Sequence, residues 1–254
     1  MNKKNIQRLL RRGKALFLAY DQGLEHGPAD FNTKNVDPRF IIDLARRGKC
    51  TGIIFQKGLA EKYQIEIKKS CVPLIIKLNG KTNLVKSEPY SPQLCSVKEA
   101  IKLGAVAVGY TIYFGSEYEK RMMEEFEKIE KEAHDAGLAV ILWAYPRGKS
   151  VARKNKAALM AYAARAGLEL GADFVKLYFN GKEKDLAWAV KNAGRSRVIV
   201  AGGHKETEKK LYARTREVIK AGCSGVAIGR NIWQAKKPLQ ILGNLRKIIW
   251  SEKK

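Results

Sequence analysis

Lys176 occupies an unusual place, in the stretch GADFVKLYFNG at 171–181. Val175 and Leu177 flank it inside what reads as a short apolar strand, and an ammonium is costly to bury without a partner. A lysine so placed has two uses. Its stem can carry the charge out to water or to an acid. Alternatively, burial disfavours the charged form and leaves a neutral amine, the nucleophile that attacks a carbonyl carbon. Other chemistries find less support. The three histidines, His26, His134 and His204, form no HExxH or clustered ligand pattern, so no metal is expected. The four cysteines, Cys50, Cys71, Cys95 and Cys223, contain no C-x-x-C pair and read as reduced, packed thiols of a cytoplasmic protein.

A nucleophile needs a scaffold, and the apolar runs supply one. They are 14–20 (KALFLAY), 52–56 (GIIFQ), 73–79 (PLIIKLN), 105–110 (AVAVGY), 139–145 (AVILWAY), 173–179 (DFVKLYF), 197–202 (RVIVAG) and 225–229 (GVAIG). Helix-like segments separate most of them. The clearest is EYEKRMMEEFEKIEKEAHDAG, with apolar residues at helical spacing and Gly137 as its C-cap. Strands alternating with helices predict a parallel sheet with crossover helices. Eight such units in 254 residues predict an α/β fold, a single (β/α)8 TIM barrel over 1–254. A doubly wound open sheet is the alternative, but DQGLEHG lacks the G-x-G-x-x-G form after strand one. The polar stretch 79–96 follows strand three and is placed to cover the barrel mouth.

Side chains alternate along a strand. Phe174, Lys176 and Tyr178 are therefore expected inside the barrel, with Val175, Leu177 and Phe179 facing the helices. The same parity puts Trp143 with Tyr145, and Asp21 with Ala19 and Phe17. Polar groups from strands one, five and six then converge on the C-terminal mouth, where barrel enzymes place their chemistry. Strands seven and eight end in AGGHK and IGRNIWQ. Gly202, Gly203 and Gly229 are candidate amide donors to a phosphate, and Arg230 a charged fork beside them.

The formal net charge is +24. Its lysines and arginines are spread through helix-like and loop segments and mixed with glutamate, with no RNA-recognition strand, KH loop or zinc finger. Nucleic acid is thus a disfavoured partner, although a basic nucleic-acid-binding barrel is the rival from another class. There is no apolar run long enough for a membrane span, and ALFLAY is too short for a signal sequence.

DQGLEHGP, LWAYPRG, LELGADFVKLYF, the glycine pair after strand seven and GRNIWQ together resemble the archaeal-type class I fructose-bisphosphate aldolases, the DhnA-like family. The resemblance covers nearly the whole chain. It implies a metal-independent, cofactor-free barrel enzyme that cleaves fructose 1,6-bisphosphate through a Schiff base on Lys176. By the same resemblance Tyr145 is the catalytic tyrosine and Asp21 the strand-one aspartate. Trp143, Gln22, His26 and Arg147 match substrate-contact positions. The family also implies a sugar-phosphate substrate and a homo-oligomer, a ring-shaped decamer. Ala201 stands where the family commonly has serine, which removes one hydroxyl contact from the phosphate motif. Lys57 or Lys77 is expected near Lys176, as a cation lowering its pKa. A related aldolase or transaldolase of shikimate-precursor synthesis would share Asp21, Tyr145 and Lys176.

Overall fold

Each apolar run becomes a strand. The strands are β1 (Ala15–Ala19), β2 (Gly52–Gln56), β3 (Leu74–Lys77), β4 (Ala107–Phe114), β5 (Ala139–Pro146), β6 (Phe174–Leu177), β7 (Arg197–Ala201) and β8 (Gly225–Ile228). In the computed structural model, which describes residues 3–251, they pair in parallel and in sequence order, and β8 returns to β1. The sheet is a closed (β/α)8 barrel, so the open-sheet alternative is set aside. Closure removes both sheet edges and satisfies backbone polar groups that an open sheet would leave bare.

The interior is filled by alternate side chains. Phe17 of β1 and Phe174 of β6 meet edge to face, 6.1 Å between centroids. Val175, one residue on, packs instead on Gly167 of the helix Lys156–Glu169. The parity expected for β6 therefore holds at these two positions. Higher in the barrel, the Trp143 ring lies across Gly109 of β4. A Cβ at 109 would stand 2.0 Å from a ring carbon of Trp143. Glycine here is a requirement of space.

The outer faces are equally local in origin. The helix Glu119–Asp135 buries Met122, Phe126, Ile129 and Ala133, the helical-spaced apolar positions of its sequence. Gly137 follows its C-terminus at φ 76, a left-handed conformation that costs glycine little, and Leu138 N–H returns to Ala133 O at 2.8 Å.

Strand β4 is longer than its expected 105–110. It runs four residues further, to Phe114, and pairs with β5 throughout. TIYF continues the buried alternation, and the extension carries Tyr113 to the mouth. The segment after β3 is fastened along the rim. Asn79 forms a bridge with Gln93, Ser116 Oγ donates to Pro89 O at 2.6 Å, and Lys149 N–H donates to Glu88. Its tip at Leu84 and Val85 is exposed. Among the described residues no helix is long and apolar enough to cross a membrane.

Candidate active site

Lys176 is the penultimate residue of β6 and is 5% exposed. Its neighbour in register on β5 is Trp143, and the Lys176 Nζ lies 4.6 Å from that ring's centroid. A cation is attracted to an indole face, but the ring accepts no proton. No hydrogen-bond acceptor holds this nitrogen among the described residues. Burial pushes Lys176 below the ordinary lysine pKa, against the opposing pull of Asp21 and Glu25. Attack on a carbonyl needs an amine that is both accessible to a ligand and easily deprotonated.

Lys77, the last residue of β3, lies over the same ring at 5.6 Å and donates to Asn79 O at 2.9 Å. Burial and the charge of Lys176 push it down to about 8, with Asp21 acting the other way. The neighbouring cation is therefore Lys77 by position, but the lowering of Lys176 comes from its burial, and it is the Lys176 charge that depresses Lys77. Lys57 opens the helix Lys57–Lys62 and is ion-paired to Glu99 and Glu61, because the chain turns outward after Gln56.

Tyr145 follows Trp143 by two residues, so it shares its face. Its ring stacks on Tyr178 at 4.1 Å and 24°. Burial, then Tyr178 and Asp21, hold its phenol well above the ordinary tyrosine pKa, while Arg147 acts in the opposite sense. The Arg147 guanidinium lies over Tyr113, Tyr145 and Tyr178 at 5.6, 5.7 and 5.4 Å. Its Nη2 donates to the Tyr178 hydroxyl at 2.7 Å, and Nη1 stands 3.7 Å from Glu25. Asp21 follows β1 by two residues, and its charge acts on Lys77, Lys176 and Tyr145.

The remaining predicted residues fall in a second cluster along the β1, β7 and β8 loops. His26 Nδ1 meets Asp30 Oδ2 at 2.6 Å, and Asp30 Oδ1 is 3.4 Å from Arg230 Nη1. Arg230 Nη2 reaches Gly203 O at 3.5 Å. These last two contacts are long for hydrogen bonds. Gly202 is not available as an amide donor, because its N–H is taken by Ala227 O at 2.9 Å in the β7–β8 pairing. Its carbonyl accepts from Arg214 at 2.5 Å and Asn231 at 3.0 Å. The Gly203 amide, by contrast, meets no main-chain carbonyl among the described residues. Gly229 precedes Arg230 at the end of β8, against the Ala19 carbonyl. Gln22 lies between the clusters in sequence, and its Nε2 is buried with no hydrogen-bond partner among the described residues.

Sequence reasoning missed Tyr113, Glu25, Asp30 and the size requirement at Gly109. Tyr113 was legible in the alternation of TIYF, and the two acids lie within DQGLEHGPAD. Nothing local marked Gly109, whose constraint comes from the next strand. Among the described residues no group of three or more His, Cys, Asp or Glu is placed to hold a metal ion.

A family model described as DeoC/LacD family aldolase matches residues 15–235. The chain is 45% identical over 257 residues to a protein of Thermoproteus tenax named fructose-bisphosphate aldolase class 1, covering 100% of this chain and 96% of that one. A Methanocaldococcus jannaschii protein, named fructose-bisphosphate aldolase/6-deoxy-5-ketofructose 1-phosphate synthase, is 40% identical over 253 residues, covering 93% and 80%. In structure the chain is similar to an archaeal fructose-1,6-bisphosphate aldolase whose catalytic lysine is covalently bound to the carbinolamine intermediate. The TM-score is 0.93 at 44% identity, over 99% of this chain and 100% of that one.

Proposed function

The chain belongs to the DeoC/LacD family of aldolases, and from that membership we propose that it is a class I fructose-bisphosphate aldolase with Lys176 as its imine-forming residue. The observation that carries this reading is the Lys176 amine, buried on a barrel strand, over an indole, with no acceptor to hold its proton among the described residues. The amine attacks the C2 ketone of the open-chain bisphosphate to give a carbinolamine, which loses water to an iminium. The iminium accepts the electron pair of the C3–C4 bond as that bond breaks, so cleavage needs no metal or other cofactor as electron sink. Glyceraldehyde 3-phosphate leaves, and the enamine is protonated at C3 and hydrolysed to dihydroxyacetone phosphate.

Tyr145 exchanges the proton of the C4 hydroxyl. Its raised pKa keeps it a phenol in the free protein, which suits donation to the C4 alkoxide in the condensation direction. In cleavage the phenol first gives its proton to the hydroxyl that leaves C2 as water, and the resulting phenolate, with Arg147 over its ring, then receives the C4 hydroxyl proton. Asp21 orients the hydroxyls and balances the two lysines. Trp143 forms the wall on which the substrate carbons lie. Gln22, His26 and Arg147 contact the sugar phosphate, and the free donor of Gln22 supports that role. One phosphate sits at Gly203, Gly229 and Arg230, with Gly202 shaping the turn through its carbonyl. The long contacts of Arg230 support a guanidinium that re-aims onto an anion. The second activity named for the Methanocaldococcus relative supports breadth toward other keto-sugar phosphates.

Residues 1–254 act as one barrel domain in the cytoplasm. The assembly is a homo-oligomer, the decamer that the resemblance implies, measurable by sedimentation velocity. Nucleic acid is not a physiological partner, and a salt-dependent gel shift with short RNA checks this. The deciding test is a coupled cleavage assay on fructose 1,6-bisphosphate with and without EDTA, together with borohydride trapping of dihydroxyacetone phosphate. The expected result is EDTA-insensitive cleavage and an adduct on the peptide containing Lys176. An adduct confined to another lysine, or activity that requires an added divalent ion, overturns the reading.

A further inference from the structure

Arg214 is a charged side chain that the reaction above leaves unused. It lies on the helix Glu208–Lys220, which follows the β7 loop, and it is 19% exposed. Its fork spans two successive carbonyls of that loop: Nη1 donates to Ala201 O at 3.3 Å and Nη2 to Gly202 O at 2.5 Å. Glu206 Oε1 stands 2.5 Å from Nη2, so the charge is paired. Asn231, buried in the short helix Arg230–Trp233, donates through Nδ2 to the same Gly202 O at 3.0 Å and to His204 O at 2.9 Å. Its Oδ1 accepts from Glu206 N–H at 2.8 Å.

These bonds fix the direction of an amide. A trans peptide is planar, and its C=O and N–H point opposite ways; the Gly202–Gly203 bond is trans. With Gly202 O turned onto Arg214 and Asn231, the Gly203 N–H is turned away from both. That N–H meets no acceptor among the described residues, and the turn holds Gly203 at φ 68. We propose that Arg214 is a positioning residue for phosphate: by taking the Ala201 and Gly202 carbonyls it aims the Gly203 N–H at the anion. This rests on the phosphate site at Gly203, Gly229 and Arg230.

The contact also has an electrostatic part. A guanidinium donating to a carbonyl polarises the whole peptide. The N–H on its far side becomes a stronger donor, and hydrogen bonds in such a chain reinforce one another. Arg214 thus favours an anion at the Gly203 N–H without touching it. Arg230 differs, because its contacts to Asp30 and Gly203 O are long and it is placed to meet the anion itself. Arg214 also packs closely on the turn: a Cβ at 203 would stand 3.1 Å from its Nη1. Ala201 supplies no hydroxyl to this loop, which leaves main-chain amides and Arg230 to carry the anion.

Borohydride inactivation of the full chain, titrated with dihydroxyacetone phosphate and separately with dihydroxyacetone, tests the assignment. The readout is the preference for the phosphorylated ligand, taken from the two half-saturating concentrations. Arg214→Met is expected to weaken dihydroxyacetone phosphate by about 10–100-fold, the scale of a hydrogen bond to a charged group, while the dihydroxyacetone curve keeps its midpoint. Arg214→Lys keeps the cation but loses the planar fork, and its preference should fall between those of Arg214→Met and wild type. It also carries the test should Arg214→Met not fold. Equal weakening of both ligands overturns the proposal, since Arg214 then only braces the barrel. Wild-type preference in either variant overturns it too. Arg230→Ala distinguishes that failure from failure of the phosphate site. A lowered preference in Arg230→Ala alone keeps the site and removes Arg214 from it, whereas wild-type preference in Arg230→Ala and Arg214→Met together places the phosphate elsewhere.

Discussion

Two charged side chains of one short stretch, Asp173 and Lys176, are both buried and have opposite surroundings. Asp173, just before β6, is tied into the fold. Its Oδ2 accepts from Val140 N–H at 2.8 Å and from His134 Nε2 at 3.0 Å, and His134 in turn meets Glu130 at 2.7 Å. Its Oδ1 has no hydrogen-bond partner among the described residues. Lys176, three residues later, has an aromatic face and, among the described residues, no acceptor. The Asp173 end binds its charge and gains stability. The Lys176 end leaves its charge unsatisfied, and that cost becomes reactivity, the exchange of stability for function that active sites commonly show.

If this contrast is right, the two ends respond oppositely to substitution. Lys176→Met should abolish both imine trapping and cleavage. It should also leave the melting temperature unchanged or raise it, since an apolar side chain of similar length replaces an unpaired amine. Marked destabilisation would mean that Lys176 is a structural cation. Tyr145→Phe removes a hydroxyl and keeps the ring stacked on Tyr178. Cleavage should fall by about 10²–10⁴-fold, the usual worth of a positioned acid–base group, while borohydride trapping persists. Near wild-type cleavage would reduce Tyr145 to part of the wall.

Asp173→Ala should do the reverse. It strands a backbone N–H and an imidazole, and should cost about 3–5 kcal/mol of stability, read from denaturant midpoints. Enzyme that remains folded should keep its kcat. Arg230→Ala should weaken binding of a phosphorylated sugar by about 1.5–3 kcal/mol and leave a non-phosphorylated analogue unaffected. Equal losses would assign Arg230 to the Asp30 network alone.

The smallest effect concerns His134. Its pKa is raised by the hydrogen bond to Asp173, against some desolvation. A raised folded-state pKa means that protonation favours the fold. The contribution is complete below the unfolded histidine value, near 6.5, and disappears as pH rises through the folded value. Wild-type stability relative to His134→Gln should therefore be greater at mildly acid than at alkaline pH, by on the order of 0.5–1 kcal/mol. A difference independent of pH would break the assignment of a charged His134–Asp173 pair.

The sequence by itself determined the repeat of strand and helix, the barrel, the inward parity of Lys176 and the presence of Trp143 and Tyr145 on one face. Those properties are local: apolar runs, alternation and turn residues act over a few positions. The end of β4 was legible too, but TIYF follows a tyrosine that first reads as a boundary. Tertiary structure alone decided which polar groups are satisfied. Gly202 loses its amide to β8, Lys57 turns out to Glu99 while Lys77 turns in, and Arg230 reaches Asp30 across 200 positions of sequence. Gly109 is needed because Trp143 of the adjacent strand occupies its side-chain space. Barrel closure sets these pairings, and local sequence carries no record of how far a strand's neighbour lies along the chain. A hydrogen bond or a shared indole is a property of two distant segments brought to one radius and one height.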